Sequence, residues 1–87
     1  PVAHLLHEEV VTPWEQKATV MRSLVEQTQG RDVDPIDGVK VHHATGWVLV
    51  LPDPEEPVTH LWVEGDTLAE AKTLVHEYAR RIRQMLR

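Results

Sequence analysis

The chain has 87 residues, with 9 Lys+Arg against 14 Asp+Glu, a net charge of −5 and no cysteine. A chain of this length buries roughly 64% of its surface, enough for one domain with one modest core and too little for a cleft between two domains. The acidic balance excludes a general nucleic-acid binder, which needs Lys and Arg to displace phosphate counterions, and the missing thiols exclude disulfides, thiolate zinc sites, iron–sulfur clusters and cysteine nucleophiles.

With 41% apolar and 26% charged residues, the composition is that of a folded chain. No apolar run reaches the roughly 18 residues of a membrane helix, so no membrane partner is expected. The chain opens on Pro1 rather than Met, and we read residues 1–87 as one domain cut from a larger protein, with no signal peptide expected in this stretch.

The first segment, Val2 to Val11, is rich in Val and Leu but has Glu8 beside Glu9, which predicts an edge strand with one wet face. Thr12-Pro13-Trp14-Glu15 has the form of a capping box with Pro at the first helical position. Trp14, Ala18, Met21, Leu24 and Val25 then recur at spacings of three and four, which predicts a helix stopped by Gly30, with Trp14 stapling it to a sheet. Arg31 to Asp37 reads as a loop. Val39 and Val41 alternate with Lys40 and His42 in a half-buried strand, and Ala44-Thr45-Gly46 is a tight turn.

Trp47 to Leu51 is apolar on both faces, as in a central strand. The segment 52–57 holds three prolines in six residues and can be neither helix nor paired strand. Val58 to Glu64 resumes strand character, with Leu61 and Val63 on one face and Trp62 on the other. Thr67-Leu68-Ala69-Glu70 is a second capping box. It opens an amphipathic helix from Leu68 to about Met85, with Asp66 and Glu70 at its positive end and Arg80, Arg81, Arg83 and Arg87 toward its negative end. The order β-α-β-β-β-α predicts an α+β domain: a four-stranded, mainly antiparallel sheet with both helices on one face.

The residues offer no catalytic machinery. Ser23 is the single serine, in mid-helix and without a nucleophile motif around it. The six histidines lack metal spacing, since His4 and His7 diverge on a strand and His42 and His43 take opposite faces, so no metal site is expected. Asp53, Glu55 and Glu56 crowd one Pro-rich loop rather than flank a cleft, and read as a solvated acidic loop. With one Tyr and no Phe, the sheet lacks the aromatic pattern of an RNA-binding sheet.

The stretch Asp37-Gly38-Val39-Lys40-Val41, followed by Gly46-Trp47-Val48-Leu49-Val50-Leu51-Pro52-Asp53-Pro54-Glu55-Glu56-Pro57, resembles the C-terminal domain of the α-D-phosphohexomutases, the phosphomannomutase/phosphoglucomutase family. More narrowly, this stretch and Thr12 to Arg22 are similar to the tail of bacterial mannose-1-phosphate guanylyltransferases, in which a sugar-phosphate nucleotidyltransferase is fused to a mutase-like region. The resemblance implies a TATA-binding-protein-like α+β fold. In active mutases it also implies a lid whose Arg-Pro-Ser-(Asn/Gly)-Thr-Glu-Pro loop grips the substrate phosphate that is not being transferred. The phosphoserine, the magnesium ligands and the sugar-selecting loop of such enzymes lie in other domains. This chain is therefore expected to hold no cofactor and no catalytic residue, with Mg2+ belonging to the parent.

In register with that loop, only Pro52, Glu56 and Pro57 match. Leu51 replaces the arginine, whose two-pronged charged hydrogen bond is what holds phosphate. Asp53 and Glu55 replace hydroxyl donors with anions, and Pro54 removes a backbone N–H. Each carboxylate at contact repels a phosphate by about 1 kcal/mol even at water's dielectric. The expectation is a non-catalytic C-terminal module of a nucleotidyltransferase/mutase-like protein in nucleotide-sugar (GDP-mannose type) metabolism, cytoplasmic as that family implies. Its partners would be the parent's other domains, with oligomerisation through the parent and only weak contact with hexose phosphate. The alternative is a working phosphomannomutase/phosphoglucomutase lid in which Lys40, His42, His43 or His60 supplies the missing donors.

Overall fold

The computed structural model describes residues 4–28, 33–34 and 38–86. Its strands are β1 (His4–Val11), β2 (Val33–Asp34), β3 (Gly38–His43), β4 (Gly46–Pro52) and β5 (Val58–Gly65), and its helices are α1 (Lys17–Gln27) and α2 (Leu68–Met85). The strands lie in the order β1-β5-β4-β3-β2, and every neighbouring pair is antiparallel. Four of these strands and both helices stand where the sequence puts them, and the domain is α+β. The difference is β2, two residues inside the segment read as a loop, which pair with Gly38 and Val39. Two residues are too few to carry a period, so no pattern marks them.

The sheet's inner face is built from apolar residues at alternate positions, all but one of them valine: Val39 and Val41, Val48 and Val50, Leu61 and Val63, and Val10, all buried. Period-two burial follows from the pleat, which sends successive side chains to opposite faces. α2 covers β1, β5 and β4 with Ala71, Leu74, Val75, Tyr78, Ala79 and Ile82. α1 covers β3 with Val20 and Leu24 and touches α2, so both helices lie on one face. Tyr78, the one large aromatic of the core, places its hydroxyl 2.8 Å from His43 Nε2. Burial pushes that phenol's pKa up, opposed by Arg81 and reinforced by Glu77.

The two helix starts differ. Thr67 caps α2 as expected, its hydroxyl accepting from the Glu70 amide at 3.1 Å. Thr12 does not cap. Its buried hydroxyl donates to the Val10 carbonyl at 2.9 Å and pairs with the Thr59 hydroxyl at 2.8 Å, tying β1 to β5 beneath the sheet. The chain then enters α1 through a 3-10 turn over Trp14–Gln16 that has no side-chain cap. The buried stripe of α1 is also displaced from the sequence expectation. Lys17, Val20 and Leu24 are inside, Ala18 is exposed, and Trp14 is 51% exposed rather than wedged against the sheet. Gly30 and Asp37 lie outside the described residues.

Gly46 closes the β3–β4 turn because a Cβ there would meet the Glu64 carbonyl oxygen at 1.9 Å. Gly38 takes φ +105°, and a Cβ on it would meet the Val50 carbonyl oxygen at 2.2 Å and a Leu51 methyl at 2.6 Å. The Gly38 contacts hold β3 close to β4 at the end of the sheet that carries the β4–β5 loop, while Gly46 lets β4 approach β5 at the opposite end.

Candidate functional site

The loop joining β4 to β5 spans residues 53–57. Pro54 and Pro57 have no N–H to give a ladder, so pairing stops here. The neck is closed by two backbone bonds, from the Asp53 amide to the Val58 carbonyl at 3.0 Å and from the Val58 amide to the Glu56 carbonyl at 2.8 Å. A third, from the Thr12 amide to the Pro57 carbonyl at 2.7 Å, ties the loop to the end of β1.

Within this frame Asp53 turns back on its own loop. Its Oδ1 accepts from the amides of Glu55 and Glu56, each at 2.8 Å, and its Oδ2 lies 2.6 Å from His60 Nε2 on β5. The bond from His60, then the two amides, hold the Asp53 carboxyl down at about 2. A carboxylate in that state only accepts, so His60 Nε2 is the donor. In neutral His60 the other nitrogen, Nδ1, is then an acceptor, and it receives His7 Nε2–H from β1 at 2.9 Å. The His7 ring lies flat on Trp62, with centroids 4.1 Å apart and planes 16° from parallel. Asp53, His60, His7 and Trp62 thus form one chain of contacts across the sheet face that the helices leave open.

From the other side the loop is held by Lys17, the first residue of α1. Its ammonium donates to the carbonyls of Asp53 and Glu56 and sits 3.7 Å from the centre of the Trp14 ring. Lys17 is only 8% exposed. The loop therefore presents carbonyls to an internal cation and gives two of its amides to an internal anion. This arrangement has no free donor at those positions for an external oxyanion. It does have an outward set of acids, with Glu55 and Glu56 both exposed.

Over 86 residues, 97% of this chain, the sequence is 34% identical to a probable phosphoglucosamine mutase of Methanopyrus kandleri. The likeness is to a domain-length piece of a phosphohexomutase. The chain spans 19% of that protein's length. No protein-family model matches the chain.

On this phosphohexomutase-like domain the residues in register with the phosphate loop fall in one place. Leu51 is half-buried on β4, directly across from His60 and against Gly38. It offers methyl groups where the resemblance expects a guanidinium. Pro52 ends β4, Pro54 and Pro57 are exposed, and Asp53, Glu55 and Glu56 stand as described above. Of the residues considered as substitute donors, His60 is bonded to the loop, and its nearer nitrogen is committed to Asp53. Lys40 and His42 lie on β3, two strands from β5, with the Lys40 ammonium 4.6 Å from the centre of the Trp47 ring and His42 opposite Trp47 in register. His43 faces the core side and Tyr78. Among the described residues no three histidine or carboxylate side chains converge as they stand to hold a metal ion.

Sequence reasoning missed two residues of this site. Lys17 carried a signal: it stands three and seven residues before Val20 and Leu24, on the stripe that is buried. A lysine on that stripe needs an acceptor, and the loop carbonyls supply it. His7 carried a weaker one, because its contact with His60 depends on strand order, and β1 pairs with the last strand of the chain. No local pattern encodes that neighbour. No helix among the described residues is long and apolar enough to cross a membrane.

Proposed function

We propose that this domain is a non-catalytic module of a larger sugar-phosphate enzyme, of the kind that joins a nucleotidyltransferase to a mutase-like region, and that it acts by docking on other domains rather than by holding substrate. The observation that carries this reading is the Asp53 carboxylate, which takes the amides of Glu55 and Glu56 and the Nε2 of His60 at 2.6–2.8 Å. An external phosphate would have to displace a carboxylate held on the same loop, and would do so facing Glu55 and Glu56. The overall likeness to a mutase supports the scaffold, and the side chains in the loop support the loss of its anion contacts.

A second reading keeps the domain as the phosphate-gripping lid of a working phosphohexomutase. The likeness to the Methanopyrus kandleri protein, a probable phosphoglucosamine mutase, favours it. Two samples separate the readings: the native chain and Asp53→Ser, which restores the residue type of the resembled loop. Both would be titrated with mannose 1-phosphate, glucosamine 1-phosphate and glucose 1,6-bisphosphate while the amides of Glu55 and Glu56 are followed by NMR. The expected result is no saturable shift in the native chain and a measurable one in Asp53→Ser. Saturable shifts in the native loop at millimolar ligand or below would overturn the module reading in favour of the lid.

A further inference from the structure

We propose that β1 is an association edge for a second copy of this chain, and that the Glu8 carboxylate sets how tightly two copies join there. β1 is an outermost strand, paired to β5 residue for residue from His4 to Val11. In such a ladder every second residue turns its N–H and C=O away from the neighbouring strand. Among the described residues no strand takes up those groups on the far side of β1. An edge of this kind is a template for another strand unless proline, lysine, a bulge or an inward-pointing charge blunts it. β1 holds no proline and no lysine, and its register runs without a bulge. Its one inward-facing carboxylate is Glu8, which shares the face of Val10. The opposite edge of the sheet, β2, is only two residues long.

The strand complements itself. Turned about a two-fold axis at Glu8, a second β1 lies antiparallel with Leu5 opposite Val11 and His7 opposite Glu9, each pair occurring twice. Leu5 is 56% exposed and Val11 72% exposed, so this pairing sets two of the chain's large exposed apolar side chains against each other. It also sets an imidazole against a carboxylate, and His7 keeps its Nδ1 for that contact because its Nε2 is held by His60. On the other face Leu6 meets Val10. A slip of one residue is barred, because it turns the buried side chains outward. A slip of two sets His7 against its own copy and Leu5 against Glu9, or Glu9 against its own copy and His7 against Val11. Only the register centred on Glu8 matches apolar with apolar and acid with base on the open face.

Glu8 lies on the axis itself. Its Oε2 is buried and has no hydrogen-bond partner among the described residues, and in the joined pair it faces Glu8 of the second copy. Like charges directly opposite each other across a ladder oppose pairing. At a separation of about 5 Å, in a dielectric between those of a protein surface and water, the repulsion weakens association by about tenfold. Glutamine has the same length, no charge, and an amide that both donates and accepts, so it removes the repulsion and lets the two side chains bond across the axis. The edge is thus complementary to itself on both sides of its centre and opposed at the centre. This inference does not depend on whether the β4–β5 loop holds phosphate.

The test is sedimentation velocity of the 87-residue chain from micromolar to millimolar concentration, with amide exchange in β1 followed at both ends of that range. The expected result is a dimer in Glu8→Gln that the native chain forms about tenfold less tightly, with alternate amides of β1 gaining protection as the dimer forms. Glu8→Thr, an uncharged strand former, should behave like Glu8→Gln and supports the same comparison should the latter not fold. Adding Leu5→Lys to Glu8→Gln puts a charge on the edge and should return the chain to a monomer. Adding Leu68→Lys instead, at the exposed start of α2, should leave the dimer intact. A folded Glu8→Gln that stays monomeric throughout, or that associates no more tightly than the native chain, would overturn the proposal. So would a dimer whose β1 amides exchange as fast as in the monomer, or one that Leu68→Lys breaks as readily as Leu5→Lys.

Discussion

Lys17 is the residue whose removal tests the loop's construction most directly. In Lys17→Met the stem keeps its packing while the ammonium is lost from the carbonyls of Asp53 and Glu56 and from the Trp14 ring. Hydrogen bonds from a charged donor are worth about 1.5–3 kcal/mol each, and a cation over a half-exposed ring contributes about 0.5–1 kcal/mol. Two effects reduce that sum. Methionine escapes the cost of desolvating an ammonium that is 8% exposed, and the freed carbonyls regain water at a loop whose tip is exposed. The net expectation is a loss of about 1–2 kcal/mol, or roughly 4–16 °C in Tm at 4–8 °C per kcal/mol for a domain of this size. Urea unfolding of Lys17→Met beside Lys72→Met, an exposed lysine on α2, measures it. Amide exchange at Asp53 and Val58, which close the loop's neck, should speed up in the first variant only. If Lys17→Met is as stable as the native chain and its neck amides are as protected, the ammonium is not what holds the loop.

Asp53 predicts a pH dependence of definite sign. Its folded pKa, about 2, lies below the ordinary 3.8, so the unfolded chain takes up the proton first, and its contribution to stability is present above about pH 4 and lost as the pH falls toward 2. Acid unfolding of Asp53→Asn should be shallower than that of the native chain across this window, with the two curves meeting near pH 2; parallel curves would contradict it. The two threonines predict opposite signatures. Thr67→Ala removes a cap and should cost about 1 kcal/mol in urea unfolding, with the first turn of α2 exchanging faster. Thr12→Val leaves the Thr59 hydroxyl without its partner and should cost about 1–3 kcal/mol with no change at the start of α1, and a loss of protection there would restore Thr12 as a cap.

How much of this was legible in the chain depends on the range of each interaction. Strands β3, β4 and β5 were legible because period-two burial is local: Val48 and Val50, or Leu61 and Val63, announce their face without knowing their neighbours. The second helix was legible for the same reason, since Thr67 caps within its own first turn and the apolar positions repeat within it. Thr12 has the same local signature as Thr67 and behaves differently. A buried hydroxyl across the sheet, Thr59, competes for it, and that competitor lies 47 residues away. Trp14 was expected to staple the helix and instead covers a lysine, because the stripe of α1 that meets the sheet runs through Lys17, Val20 and Leu24. The composition of the loop was readable as hostile to anions. Its internal wiring was not, since His7, His60 and Lys17 come from three separate elements that only the folded topology brings together.

That wiring explains how the loop keeps a shape while changing what it can hold. A phosphate site on a turn needs free amides and a nearby cation. This loop has both ingredients, two amides and an ammonium, and turns each of them inward. The amides of Glu55 and Glu56 meet Asp53, and Lys17 meets the carbonyls. Restoring a single donor, such as arginine at Leu51, would therefore not restore an anion site, because the amides would remain taken and Glu55 and Glu56 would still face the incoming charge. Freeing the amides requires removing the Asp53 carboxylate, and doing so also releases His60. Position 53 thus holds three donors at once, and the expectation that follows is that removing its carboxylate frees more of the loop than reversing any one of the other departures around it.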